Sequence, residues 1–150
     1  MKIWIFLIVF FAFANTSLMA QLNPVKWEFK SEKIDVNTYE LVFEAEINDG
    51  WYVYSQHIGE NGPIPTSLNF EDNEGITIVE QATEEGGKRK GGYDNMFDME
   101  LVKFGQKMII RQKVKLTKTA ASLKGYLEFM TCDNMQCLPP RAIDFTFEFE

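Results

Sequence analysis

Apolar and polar residues alternate along two long stretches of the chain. Tyr39, Leu41, Phe43, Ala45 and Ile47 are interleaved with Glu40, Glu44 and Glu46, and only Val42 interrupts the polar side. Ile143, Phe145, Phe147 and Phe149 alternate with Asp144, Thr146, Glu148 and Glu150 without a break. A period of two marks a strand with one face in a core and the other in water, as antiparallel sheets permit. Shorter versions occur at Val25–Phe29, Thr66–Phe70, Ile76–Val79, Met99–Phe104, Lys107–Leu116 and Leu123–Met130. Turn-like punctuation separates them: Asn48-Asp49-Gly50, Asn61-Gly62-Pro63, Asn73-Glu74-Gly75, Gly86-Gly87, Gly91-Gly92 and Gly105. No segment sustains a helical period with caps. The pattern predicts an all-β fold, an immunoglobulin-like β-sandwich of about eight or nine antiparallel strands. The glycine-rich, mixed-charge run Glu84–Gly92 reads as a mobile surface loop.

The first residues do not join this pattern. Lys2 precedes an apolar run from Ile3 to Ala14, and small residues follow before Gln21, so residues 1–20 read as a secretory signal peptide cleaved after Ala20. The run falls short of the ~20 residues a membrane span needs, and no cysteine near the cleavage region offers a lipid anchor. Residues 21–150 are then one domain, long enough to bury a core unaided. Export of this kind implies an oxidising compartment and a domain that is not membrane-embedded once the signal is removed. The signal contains Lys2 alone among charged residues, so the mature chain would carry 14 basic and 22 acidic residues, a formal charge of −8. That balance argues against nucleic acid or anionic lipid as a partner, since both select positive surface.

An oxidising compartment changes the meaning of the chain's two cysteines, Cys132 and Cys137. They are too close in sequence to bridge two sheets. They end one predicted strand and begin the return toward Ala142, which places them in a loop at one end of the sandwich. A crosslink over so short a loop stabilises by only ~2 kcal/mol in the chain-entropy model, so the pair suits a redox switch better than a staple. Asp133 would disfavour a thiolate here and Arg141 would favour one. Pro139-Pro140 cannot donate to a ladder and pushes Leu138 toward extended geometry, which predicts a stiff, unpaired backbone just after Cys137.

The run Tyr126-Leu127-Glu128-Phe129-Met130-Thr131-Cys132 to Cys137-Leu138-Pro139-Pro140 resembles the active-site segment of the amino-terminal periplasmic domain of the thiol:disulfide interchange protein DsbD, in a Bacteroidetes-type stand-alone form. Asp49-Gly50-Trp51-Tyr52-Val53-Tyr54-Ser55-Gln56 resembles that family's aromatic strand after an Asp-Gly turn, and Asp94-Asn95-Met96-Phe97 its acidic-aromatic cap loop. The resemblance implies an immunoglobulin-like sandwich and a protein-disulfide reductase component without a cofactor. It implies that Cys137 forms mixed disulfides with partners, that Cys132 resolves them, and that Phe97 covers the pair until a partner displaces the cap. Tyr52, Tyr54, Asp94 and Pro139 would line the site. The best-known members have one more residue between the cysteines, and a glycine where this chain has Asp98.

The implied partners are thioredoxin-like proteins and oxidised periplasmic proteins. Full-length members continue into a membrane electron conduit and a thioredoxin-like domain. Since the sequence closes at Glu150, a DsbD-like conduit is expected on a separate chain.

Two other readings of the same residues stand beside this one. Soft sulfur ligands suit Cu(I), and Cys132, Cys137, Met96, Met130, Met135 and His57 supply candidates for a periplasmic copper-binding module. Zinc-type spacing is missing, because there is no second Cys/His pair. The other reading is a structural sandwich with a passive disulfide.

Overall fold

A computed structural model describes residues 22–117 and 122–149. The signal-peptide expectation for residues 1–20 lies outside the described residues. Within them the fold is all-β, with nine strands: β1 Val25–Asp35, β2 Thr38–Ile47, β3 Tyr52–Tyr54, β4 Ser67–Phe70, β5 Ile76–Asp94, β6 Met99–Leu116, β7 Ser122–Phe129, β8 Thr131–Cys132 and β9 Arg141–Glu148. Among the described residues no helix is long and apolar enough to cross a membrane.

One sheet runs β1-β2-β6-β3-β8 with β5 also paired to β6, and the second runs β4-β7-β9. Every pairing is antiparallel. β6 is the spine of the larger sheet. One of its edges carries β5, whose pairing runs from Ile76↔Leu116 to Asp94↔Met99, and the other carries β2 and then β3.

The two alternating stretches recognised in the sequence face each other across the core. Leu41, Phe43, Ala45 and Ile47 of β2 are buried, as are Phe145 and Phe147 of β9 and Phe149 beyond it. The Phe43 ring meets Phe145 at 5.1 Å and Phe147 at 5.5 Å between centroids, both edge-on. Edge-to-face pairs of this kind add ~1 kcal/mol beyond the area they bury. Trp27 of β1 and Phe129 of β7 make another such contact between the sheets at 5.6 Å.

The run Glu84–Gly92 is corrected from a mobile loop to strand: it lies inside β5 and pairs with β6 as far as Asp94↔Met99. Gly86 is a packing position rather than a turn signal, whereas Gly92 has open space around it and a φ of 138°. A Cβ on Gly86 would fall 2.4 Å from the Phe104 ring and 2.6 Å from the Lys107 carbonyl oxygen, beside a register shift between Gly86 and Lys88. Gly105, also read as a turn, is a β6 residue against the Tyr52 ring, and Gln106 takes the left-handed conformation, φ 65°, that the irregularity needs. The two strands expected over Met99–Leu116 are therefore one strand with a bulge in it at Gln106-Lys107, which together face Gly87 of β5.

β7 also carries a glycine in its interior, for a steric reason. At Gly125 a Cβ would sit 2.2 Å from the Asn69 carbonyl oxygen of β4 and 2.7 Å from the Phe145 ring. Backbone cannot yield there without breaking the β4–β7 ladder, so Gly125→Ala is expected to destabilise the domain by about 3 kcal/mol, toward the high end for overpacking. A lower urea midpoint with an unchanged m-value would report it.

Candidate functional site

The site forms where the chain changes sheets. β7 belongs to the three-stranded sheet, and after Met130 the chain enters the other sheet as β8, pairing Tyr52↔Cys132 and Val53↔Thr131. The Thr131 hydroxyl donates to the Tyr52 carbonyl oxygen at 2.8 Å and fixes the crossing. A tight hairpin follows. Cys132 and Cys137 form an antiparallel bridge and are joined as a disulfide, with Cα atoms 4.0 Å apart. The Asp133 N–H donates to the Gln136 carbonyl oxygen at 3.0 Å, and the Leu138 N–H to the Thr131 carbonyl oxygen at 2.9 Å. The backbone after Cys137 is thus paired through Leu138, one residue beyond expectation. Pro139 and Pro140, both exposed, end the pairing before β9 begins.

Asp133 closes the loop. Its carboxylate accepts the Met135 N–H at 2.7 Å and the Gln136 N–H at 2.8 Å. Those two backbone bonds, Met135 first, hold its carboxyl below the usual range. Its charge is turned into the loop rather than left to act on a thiol. Arg141, the residue expected to favour a thiolate, donates instead to the Asn23 side-chain oxygen at 2.6 Å.

The two sulfurs have unlike surroundings. Cys132 is 1% exposed and belongs to a small cluster with Tyr54 and Leu101, against which Phe97, Met99, Met130, Ile58 and Cys137 pack. Cys137 is half-buried, and its sulfur lies 3.1 Å from the Met96 sulfur. A disulfide sulfur carries no proton, so this is a packing contact. Met96 and Phe97 both come from the four-residue turn between β5 and β6, residues 95–98, which packs against the disulfide through these two side chains. The Phe97 ring stands edge-on to Tyr54 at 5.7 Å. The structure therefore brings together Cys132, Cys137, Phe97 and Tyr54; Tyr52 is the cross-strand partner of Cys132.

Asp94 anchors that turn. Its carboxylate accepts the Met96 N–H at 2.9 Å and pairs with the Lys103 ammonium at 2.6 Å. Burial pushes its carboxyl up, but the Lys103 bond, the Met96 and Phe97 N–H groups and the Lys103 charge outweigh burial and leave it below the ordinary value. At neutral pH it is an ionised structural anchor. Asp98 adopts φ 56°, the left-handed region in which Asp is tolerated better than most residues. The Tyr93 hydroxyl donates to its carboxylate.

Lys90 and Lys103 had no signal in the sequence. They are directly opposite each other on β5 and β6, with Tyr54 opposite Lys103 on the other side. Their ammonium groups stand 4.6 and 5.1 Å from the Tyr52 ring centroid, within cation–π range. Hydrogen bonding from Lys90 lowers the Tyr52 phenol pKa, and burial pushes the Tyr54 phenol well up. No group of three or more His, Cys, Asp or Glu side chains that could hold a metal ion occurs among the described residues.

Against known proteins, the family model for the amino-terminal part of the thiol:disulfide interchange protein DsbD matches residues 19–148. No curated protein sequence matches the chain. Among solved structures, the DsbD amino-terminal domain of Neisseria meningitidis in its reduced form superposes with a TM-score of 0.51 at 15% identity, covering 81% of this chain and 84% of that one. The amino-terminal periplasmic domain of ScsB from Proteus mirabilis gives 0.58 at 14% identity, covering 87% of this chain and 47% of that chain. At these identities the superpositions establish the fold alone, an immunoglobulin-like sandwich as expected from the strand pattern.

The buried Asp94–Lys103 pair can be read directly. A carboxyl whose folded pKa is depressed contributes stability that is present above its unfolded value, about 4, and is lost as pH falls through the folded one. Carboxyl NMR titration should place the Asp94 midpoint below the ordinary range. In Lys103→Met, with burial retained and the cation removed, the midpoint should rise, and the 95–98 turn should lose order at neutral pH.

Proposed function

The chain belongs to the family of DsbD amino-terminal domains, and on that footing we propose that it is a periplasmic thiol-disulfide exchange domain that relays electrons through Cys132 and Cys137. The observation that carries this reading is the unequal burial of the two sulfurs beneath a separable cap. A passive disulfide needs neither. The half-buried Cys137 is the sulfur a partner can reach once Met96 and Phe97 move, and the buried Cys132 is held on β8, ready to resolve.

With the pair reduced, the Cys137 thiolate attacks one sulfur of an oxidised partner's disulfide and expels the other as a thiolate. The Cys132 thiolate then attacks Cys137 Sγ. The mixed disulfide breaks, Cys132–Cys137 forms, and the partner leaves with two electrons and, after protonation, two thiols. Recharging is the reverse sequence, driven by a thioredoxin-like protein supplied in turn by a DsbD-like membrane conduit. Phe97, Tyr54 and Tyr52 shield the pair from adventitious oxidants and thiols, Asp94 holds the cap loop, and Pro139 keeps the edge beside Cys137 from pairing further. Residues 1–20 would direct export, and residues 21–150 form the exchange domain. The chemistry requires no cofactor.

A Cys132→Ala variant should accumulate mixed disulfides through Cys137 when its reduced form meets a periplasmic extract, and mass spectrometry should find thioredoxin-fold partners among them. Capture of none, or equal capture by Cys137→Ala through Cys132, would overturn the assignment. Phe97→Ala should speed reduction of the native disulfide by dithiothreitol severalfold; an unchanged rate would remove the cap from the mechanism.

A further inference from the structure

Beside the disulfide a groove of about 650 Å³ runs between the end of β5, the 95–98 turn and the cysteine loop, bordered by Arg89, Lys90, Asp94, Met96, Lys103 and Asp133 among others. Its charge runs against that of the protein. In a chain with 22 acidic and 15 basic residues, the consecutive cations Lys88, Arg89 and Lys90 make no salt bridge among the described residues, whereas Lys107, Arg111 and Lys113 further along β6 each do. The two carboxylates at the groove are already engaged. Asp94 is bound to Lys103 and the Met96 N–H, and Asp133 accepts two backbone N–H groups of its own loop.

Placing Lys90 directly opposite Lys103 is moreover unfavourable, since like charges facing each other across an antiparallel pair destabilise it. Asp94 compensates one of them only. The aromatic floor of Tyr52 accommodates both ammonium groups but supplies no full negative charge. An acidic group in the groove would. The rim next to Cys137 is apolar, with Met135 89% and Met96 43% exposed.

We propose that this groove docks an acidic segment of the partner protein that exchanges with Cys137, the partner's carboxylates meeting Arg89 and Lys90 while apolar side chains beside its cysteine cover Met96 and Met135. The proposal rests on the thiol-exchange reading above. It assigns the recognition of partners to a surface beside the cysteines, where charge complementarity raises encounter rates and selects among partners that share the same sulfur chemistry. Lysines also guard exposed strand edges against pairing, and among the described residues β5 pairs with β6 alone. Edge protection alone would give the cations no preference for any thiol.

The test uses the mature, oxidised chain and two synthetic peptides, each with one cysteine, one flanked by glutamates and the other by lysines. Peptide thiolate attacks Cys137 Sγ, Cys132 leaves as a thiolate, and the mixed disulfide is quantified by mass after acid quench. The ratio of the acidic to the basic peptide's rate is compared between wild type and Arg89→Glu/Lys90→Glu, which cancels the peptides' intrinsic reactivity. At about 20 mM salt that double ratio should be about tenfold, shrinking toward unity at about 500 mM as screening shortens the reach of surface charge. A double ratio of one at low salt, with dithiothreitol still opening the disulfide, overturns the docking groove and leaves the cations as edge guards. A disulfide that neither peptide nor dithiothreitol opens overturns the exchange reading itself.

Discussion

The ladder along β6 is the constraint on which the rest of the molecule depends. This strand, Met99–Leu116, holds β5 on one edge and β2 followed by β3 on the other. Its inward residues Phe104, Met108, Ile110 and Val114 are fully buried and face the aromatic layer of the second sheet. Because β3 is short, Tyr52–Tyr54 is held in place by what flanks it, with Phe104 and Lys103 on one side and β8 on the other. Cys132 therefore inherits its position from β6 through a single intervening strand. Cys132 sits in the ladder itself, whereas Cys137 is tied in from the loop, by its bridge and disulfide to Cys132, by the Leu138 backbone bond and by packing against Met96.

That asymmetry matters because disulfide exchange needs two opposed properties in one pair. The attacking sulfur must be reachable, and the resolving sulfur must stay in line while the first is covalently occupied. A site on one rigid element would satisfy only the second requirement, and a site on a long loop only the first. A two-residue strand followed by a four-residue loop meets both. The loop is kept compact by Asp133 and limited by Pro139-Pro140, so reach does not become disorder. The cap follows the same logic, since Phe97 and Met96 sit on a turn whose conformation is set largely by one buried carboxylate.

Much of this could be read in the sequence, and the parts that could not share a cause. The alternation in Tyr39–Ile47 and Ile143–Phe149 is a local signal, written by which side of a strand meets the core, and it located β2 and β9 directly. Cys132, Cys137, Tyr54 and Phe97 were legible through motif and spacing. Glu84–Gly92 was not. Gly86 answers to Phe104 and Lys107 some 20 residues away, so a glycine that looks like loop punctuation locally marks a close approach of two strands. Lys103 and Lys90 were missed for the same reason: their meaning comes from facing each other, Asp94 and Tyr52 across a ladder whose register no single stretch of sequence reveals. The Met99–Leu116 strand was split in two because Gly105-Gln106 looks like punctuation, whereas the ladder tolerates it as a bulge.

Lys103 links the cap to the groove. Its ammonium holds Asp94, and Asp94 in turn holds the backbone of the turn that carries Met96 and Phe97. The same ammonium lines the groove beside Lys90 and lies over the ring of Tyr52. In the docking proposed above, carboxylates at Arg89 and Lys90 would lie beside this ammonium while it stays with Asp94. The placement of one lysine thus ties the conformation of the 95–98 turn to the charge of the groove beside it.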